Sequence, residues 1–348
     1  MTVRLHELTA SATPAWDAFV AASPEGTFFH RAAWAHVIHE AFGHTACFTY
    51  AEQDGAITGV LPLVRVKTLL FGNALISTPF CVYGGPLAAD AESAAALSAH
   101  AVTLMRQMRA RWVEFRFRDA PPEAEQPPDW VGRPGLYVTF RKPITGDDEE
   151  NLKAIPRKQR AMVRKGIANG LTSRCDLDVA TLHDIYAESV RNLGTPVFSE
   201  RYFRVLAGAF RDDMDVITVM HGETPIASVM NFYFRDEVLP YYGGGAKAAR
   251  RLAGNDFMYW EVMRRAAARG YRLFDFGRSK IGTGSYAFKH NWGFEPVPLH
   301  YRFHLAPGAS IPDHNPLNPK YRLFIAGWKR LPVCVSKVLG PPVVRGLG

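Results

Sequence analysis

Tyr83-Gly84-Gly85 and Phe115-Arg116-Phe117 recur 159 positions further on as Tyr242-Gly243-Gly244 and Phe274-Asp275-Phe276. Between the two matches each copy carries one helical pattern. The first is an Ala-rich run over 91–109. The second covers 255–269, with Tyr259, Met263 and Ala266 on one stripe and Gly270 as its stop. Two agreements at one shift, with the same order of elements between them, read as a duplication of one unit. A duplicated chain must close two separate cores, and 348 residues are enough for both.

Alternating, β-branched runs predict strands upstream of each glycine turn: 47–52, 57–66 and 69–78 in the first copy, 216–220, 226–234 and 238–242 in the second. A further strand follows each helix, at 112–117 and 271–276. Hairpins followed by a helix that crosses to another strand predict an α/β (α+β) fold, each unit a mixed sheet flanked by helices. The glycines after Tyr83 and Tyr242 suit strand ends where the backbone turns sharply or approaches another group closely. The expected domains are 1–145 and 146–310, the second carrying the site, followed by a basic amphipathic extension over 311–348.

Composition excludes several classes. Hydrophobic residues at 47% with 21% charged are globular proportions. Four widely spaced cysteines without a Cys-x-x-Cys pair suggest reduced thiols, neither a disulfide framework nor a zinc site. The opening residues lack a secretory signal, and no apolar run approaches the ~20 residues that cross a bilayer. The expectation is a cytoplasmic protein, and its net charge of +8 points to acidic partners. His39 and His44 are five apart, whereas a zinc-protease helix needs histidines four apart. There is no Gly-x-Ser-x-Gly elbow, phosphate-binding Walker loop or dinucleotide fingerprint.

The copies differ beyond the last strand. After Phe117 the first continues into Arg118-Asp119-Ala120-Pro121-Pro122. After Phe276 the second continues from Gly277-Arg278-Ser279-Lys280 to Phe288-Lys289-His290-Asn291-Trp292-Gly293, rich in glycine, cations and aromatics. Ligands of open α/β sheets bind beyond the carboxyl ends of strands. Composition leaves two readings of this segment open: a ligand site, or a basic surface loop anchored by Phe288 and Trp292. A second basic segment, 153–166, places Arg157, Arg160 and Arg164 along one helical face, with Pro156 at its start and Gly166 at its end. That face suits phosphates or plain solvent.

Strand–Tyr-Gly-Gly–helix–Phe-Asp-Phe-Gly-Arg-Ser, followed by Phe288-Lys289 and Trp292-Gly293, resembles the Fem-related transferases. Ile155-Pro156-Arg157-Lys158-Gln159-Arg160 resembles the basic helix that opens their second unit. The resemblance implies two tandem GNAT-like units and transfer of an acyl or aminoacyl group to an amine or hydroxyl, without a covalent enzyme intermediate. It implies no permanently bound cofactor and an acyl donor as co-substrate, either aminoacyl-tRNA or acyl-CoA. The implied partners are a phosphate-bearing envelope or glycan precursor and tRNA, although no heptads for a coiled-coil arm are present. By family position Lys289 would stabilise the oxyanion, and Asp275 would orient the amine or pair with Arg278. Arg157, Arg160 and Arg278 would hold phosphate, with Tyr242, Ser279, Phe288 and Trp292 completing the substrate-binding set.

Arg251-Leu252-Ala253-Gly254-Asn255-Asp256 resembles the turn that cradles the coenzyme A pyrophosphate in GNAT acetyltransferases. Asp256 stands where a small residue is usual, and a carboxylate facing a pyrophosphate would repel it. A CoA-dependent acetyltransferase acting on a polysaccharide sugar, and a non-catalytic binder of a glycan precursor, are the alternatives. The pattern Asn318-Pro319-Lys320-Tyr321-Arg322, Trp328-Lys329-Arg330-Leu331-Pro332 and Leu339-Gly340-Pro341-Pro342 resembles the Fem-like branch that accompanies exosortase (PEP-CTERM) and exopolysaccharide systems. From His314 to the end there are six Lys/Arg and no acid among apolar residues. That composition fits a segment lying on the inner, anionic face of a membrane, or a terminal helix docked on the first domain.

Overall fold

The computed structural model describes residues 2–68, 72–121, 129–135, 137–311 and 322–347. Residues 69–71, which open one expected strand, and 318–321 of the C-terminal pattern lie outside them. The chain forms two compact units: Met1–Leu136 with Pro298–His314 and Arg345–Gly348, and Tyr137–Val297 with Asn315–Val344.

In the first unit, β1 (Arg4–Glu7), β2 (Thr45–Gln53), β3 (Ala56–Thr68) and β4 (Gly72–Ser77) pair antiparallel in order. Helices α1 (Thr13–Ala22) and α2 (Ala33–Phe42) lie between β1 and β2 in the chain, and the short β5 (Leu87–Ala88) pairs with β3. Helix α3 (Ala91–Gln107) then crosses to β6 (Trp112–Phe117), which runs parallel to β4. Asp90 caps α3 through the Ser93 amide at 2.8 Å. Its buried positions Ala94, Leu97, Ala101 and Met105 keep a three-to-four spacing against Leu61, Leu63, Leu75 and Val113 of the sheet. The sheet is completed by β7 (Val131–Gly132) and by β16 (His300–Leu305), which lies antiparallel between β6 and β7.

The second unit repeats this order. Helices α4 (Asp148–Ala154) and α5 (Arg157–Ala168) follow β8 (Tyr137–Pro143), and α6 (Val179–Leu193) and α7 (Glu200–Ala209) follow β9 (Thr172–Asp176). Strands β9, β10 (Met214–His221), β11 (Thr224–Phe234) and β12 (Glu237–Gly245) pair antiparallel. After α8 (Lys247–Leu252), α9 (Gly254–Ala268) crosses to β13 (Leu273–Asp275), parallel to β12, and β13 pairs antiparallel with β8. The short β14 (Ser279–Lys280) and β15 (Pro296–Pro298) both pair with β8, and α10 (Gly284–Asn291) lies between them in the chain.

The duplication is therefore real in topology, with three corrections. Tyr242–Gly244 lie within β12, whereas β4 ends at Ser77 and Tyr83-Gly84-Gly85 lie in the irregular segment beyond it. The helix and following strand are the equivalent parts, not the glycine motif. The expected domain limits also move. Hydrogen bonding assigns β8 to the second sheet although it precedes 145, and β16 to the first although it follows the second unit. Gly166 does not end α5: the helix continues to Ala168, and Gly166 packs under Phe257 of α9.

The C-terminal helices α11 (Arg322–Trp328) and α12 (Val333–Val344) belong to the second unit, not the first. They pack on α6 and the loop after it: Ile325 sits on Gly194, Gly340 on Val197, and Lys337 bonds Asp184. All four cysteines are free.

Successive residues of β12 face opposite sides of the sheet. Gly244 points toward α6, where a methyl group would fall 2.4 Å from Ser189 Cβ, while Gly245 points toward Ala249 and Asn255 on the other side. Gly244→Ala should therefore cost about 1–3 kcal/mol through overpacking, read as a lower urea midpoint with unchanged m-value. An unchanged midpoint would show that α6 yields without cost.

Candidate active site

Asp275 closes β13, and the chain then departs from regular pairing. Between the partners Asp275↔Arg141 and Ser279↔Val138, four steps on one strand oppose three on the other. Gly277 and Arg278 thus form a β-bulge, a device that re-aims side chains and is common beside active sites. Gly277 supplies the left-handed backbone it needs, at φ 64°.

A bulge strands carbonyls that the ladder would otherwise use, and buried carbonyls need donors. Lys289, in the last turn of α10, reaches back to supply them: Nζ donates to Gly277 O and Arg278 O, both at 3.0 Å. The ammonium also lies 5.8 Å from the Phe140 ring centre. Burial pushes the Lys289 pKa down to about 7, opposed by the Asp275 charge and reinforced by Arg278. An ammonium has three hydrogens. Among the described residues the third has no acceptor.

Asp275 braces the same bulge from the other side. Its Oδ1 accepts from Gly277 N at 2.6 Å and from Thr139 Oγ1 at 3.3 Å, and its Oδ2 faces Arg141 Nε at 3.4 Å. Arg141 in turn bonds Glu237. Arg278 lies over the Tyr137 ring at 4.7 Å, joined by Lys280 at 5.2 Å. Ser279 is buried in the ladder opposite Val138, and its hydroxyl has no partner among the described residues. Lys289, Asp275, Arg278 and Ser279 therefore come together around one bulge.

Other expected residues do not face this space. Trp292 is 0% exposed and packs with Phe276 and Tyr259, so no substrate can touch it. Half-buried Phe288 belongs to the same aromatic cluster. Tyr242 is buried among Phe198, Phe203 and Tyr186, with its hydroxyl 2.8 Å from that of Tyr202. Trp292 and Tyr242 are core residues, and Phe288 packs at the edge of the core.

Asp256 also departs from expectation. Its carboxylate is turned into the protein, where Oδ1 accepts from Trp292 Nε1 at 3.1 Å and from Gln159 Nε2 at 3.5 Å. Burial holds its pKa above the usual carboxylate range, against the pull of those two hydrogen bonds. The repulsion expected against a pyrophosphate loses its basis.

Gln159 lies on α5, whose outer face carries Arg157, Arg160 and Arg164. With Ala161 these line a cavity of about 440 Å³. Pro156 stands immediately before the helix and packs against Gly293 beyond α10. Arg160 Nε is buried and has no partner among the described residues. No carboxylate lines this cavity, so it presents guanidinium groups to any anion that enters.

Sequence reasoning missed Thr139, Arg141 and Tyr137, all on β8. The run Tyr137-Val138-Thr139-Phe140 carries a strand signal that could have drawn attention to them. Among its described residues the first unit lacks this arrangement. Arg116, 159 residues before Asp275, is buried there, with Nε on Glu114 Oε1 and Nη1 on Cys81 O, both at 2.8 Å.

Residues 153–290 match the family model described as an acetyltransferase (GNAT) domain. No curated protein matches the chain. Among solved structures, FemX is similar over 92% of this chain and 100% of its own, at 16% identity and a TM-score of 0.68. The L-PGS structure from Bacillus licheniformis is similar over 99% and 98%, at 11% identity and 0.58. A tandem GNAT protein from the clavulanic acid biosynthesis pathway is similar over 89% and 100%, at 14% identity and 0.52. At such identities the likeness is one of architecture. The chain has a tandem GNAT fold.

Trp292→Phe removes the Nε1–H donor to buried Asp256 and should cost about 1–3 kcal/mol of stability. Urea unfolding that matches the parent chain would show that the bond carries no structural weight.

Proposed function

We propose that this chain is a Fem-related acyltransferase, moving an aminoacyl or acyl group onto an amine or hydroxyl of a phosphate-bearing envelope or glycan precursor. The observation that carries this reading is Lys289: a half-buried ammonium fixed at the bulge beyond β13, with one hydrogen uncommitted, in the segment that matches the GNAT family model. Attack of an amine on an ester or thioester carbonyl creates an oxyanion. A donor already held in place stabilises it without reorganisation, worth on the order of 10²–10³ in rate. The arginines of α5 would take the phosphates of donor or acceptor. Asp275 acts as a positioning residue, since both its oxygens are occupied by the bulge and β8.

Two acyl donors fit this scheme. Aminoacyl-tRNA follows from the Fem resemblance, although the longest described helix, α3 with 17 residues, is no coiled-coil arm. Acyl-CoA regains ground from the inward orientation of Asp256. Native mass spectrometry with acetyl-CoA and with charged tRNA separates them, and binding of neither would remove the transferase reading. The C-terminal residue pattern alone supports the narrower exosortase-associated branch.

Lys289→Met should lower kcat by about 10²–10³ in an acyl-transfer assay while leaving KM within a few-fold. Full turnover would exclude Lys289 from the chemistry. The pH profile gives an independent check. With a pKa near 7, Lys289 is charged below that pH and neutral above it. If it serves as the cationic donor, kcat falls as pH rises through about 7, whereas a rise would reassign it as a general base.

A further inference from the structure

Helix α12 turns one face inward and another outward, and the outward face is apolar. Ser336, Gly340 and Val344 are buried at four-residue spacing. A side chain on Gly340 would strike the Val197 backbone within 2.8 Å, so this inner face is seated on the α6 side. Outward point Cys334, Val338, Leu339 and Pro342, with Val338 72% exposed. Surface helices normally place polar residues there. Helix α11 adds Leu323, 87% exposed, and Phe324.

Charge accompanies this apolar surface. Arg322, Lys329 and Arg330 are exposed on and just after α11, and the sequence from His314 onward contains no acid. Asp184 of α6 is taken by Lys337. Exposed apolar side chains and exposed cations on and beside the same two helices complement a surface that is apolar below and anionic above. No described helix is long and apolar enough to cross a membrane, so the contact would be interfacial.

We propose that the outward face of α11 and α12 docks the protein on an anionic membrane, with Leu323, Phe324, Val338 and Leu339 entering the acyl boundary and Arg322, Lys329 and Arg330 meeting lipid phosphates. The proposal stands apart from the acyl-transfer reading, because none of these residues belongs to the Lys289 or α5 sites. Binding of this kind strengthens with the anionic lipid fraction and weakens as salt screens the cations.

The test is co-sedimentation of the full chain with phosphatidylglycerol/phosphatidylcholine vesicles and with phosphatidylcholine alone. Sedimentation with the anionic vesicles only, reduced by salt, is the expected result. The double variant Val338→Glu/Leu339→Glu should lower the bound fraction at least tenfold. Both positions are exposed, so its circular dichroism and melting temperature should match the parent chain. Leu323→Glu/Phe324→Glu provides a second variant on the other helix. Three outcomes would overturn the proposal: no binding to anionic vesicles, equal binding to phosphatidylcholine alone, or binding unaffected by either variant. So would a concentration-dependent dimer that these substitutions abolish in a chain that ignores vesicles.

Discussion

The second unit depends on a lysine that completes a strand. The bulge at Gly277 and Arg278 interrupts the β13–β8 ladder, and the Lys289 ammonium binds the two carbonyls it strands. From that point the contacts run outward. Lys289 ties α10 to the end of β13, and Trp292 at the end of α10 donates to Asp256 on α9. Asp256 also accepts from Gln159 on α5, the helix whose arginines line the cationic cavity. A group with the chemistry to stabilise an oxyanion is thus also the group that holds its own surroundings in place.

The first unit shows what the same fold does without these demands. The strand position of Asp275 is occupied there by Arg116, which closes the space with Glu114 and the Cys81 carbonyl. At this position the first copy commits its charged side chains to internal partners. The other retains a lysine hydrogen, a serine hydroxyl and an arginine Nε without partners among the described residues. The two copies thus differ at the same strand end.

Much of this architecture was legible in the sequence because it rests on local periodicity. The α9 stripe, its Gly270 stop and the arginine face of α5 all appear where the spacing puts them. Features set by distant pairing were not legible. The bulge exists only relative to β8, more than a hundred residues earlier, and no local pattern announces a register slip. Trp292 and Tyr242 were read as substrate contacts because a motif names neighbours in sequence, whereas burial is decided by α9, β13 and α7. Asp256 was misread for a related reason: its partner Trp292 is 36 residues away, and a carboxylate's effect depends on where it points.

The exchange of β8 and β16 has a consequence for how the chain is made. The first sheet ends in β16, which leaves the ribosome only after the whole of β8 to β15 has emerged. The N-terminal unit therefore cannot finish before the C-terminal one has begun, and β6 waits with an open edge while the rest is synthesised. Late closure of a non-local strand slows folding and leaves an edge open to mispairing. No single cut separates this duplicated chain into two complete halves, so an independently expressed second unit would have to begin before Tyr137 and carry the helices that follow β16.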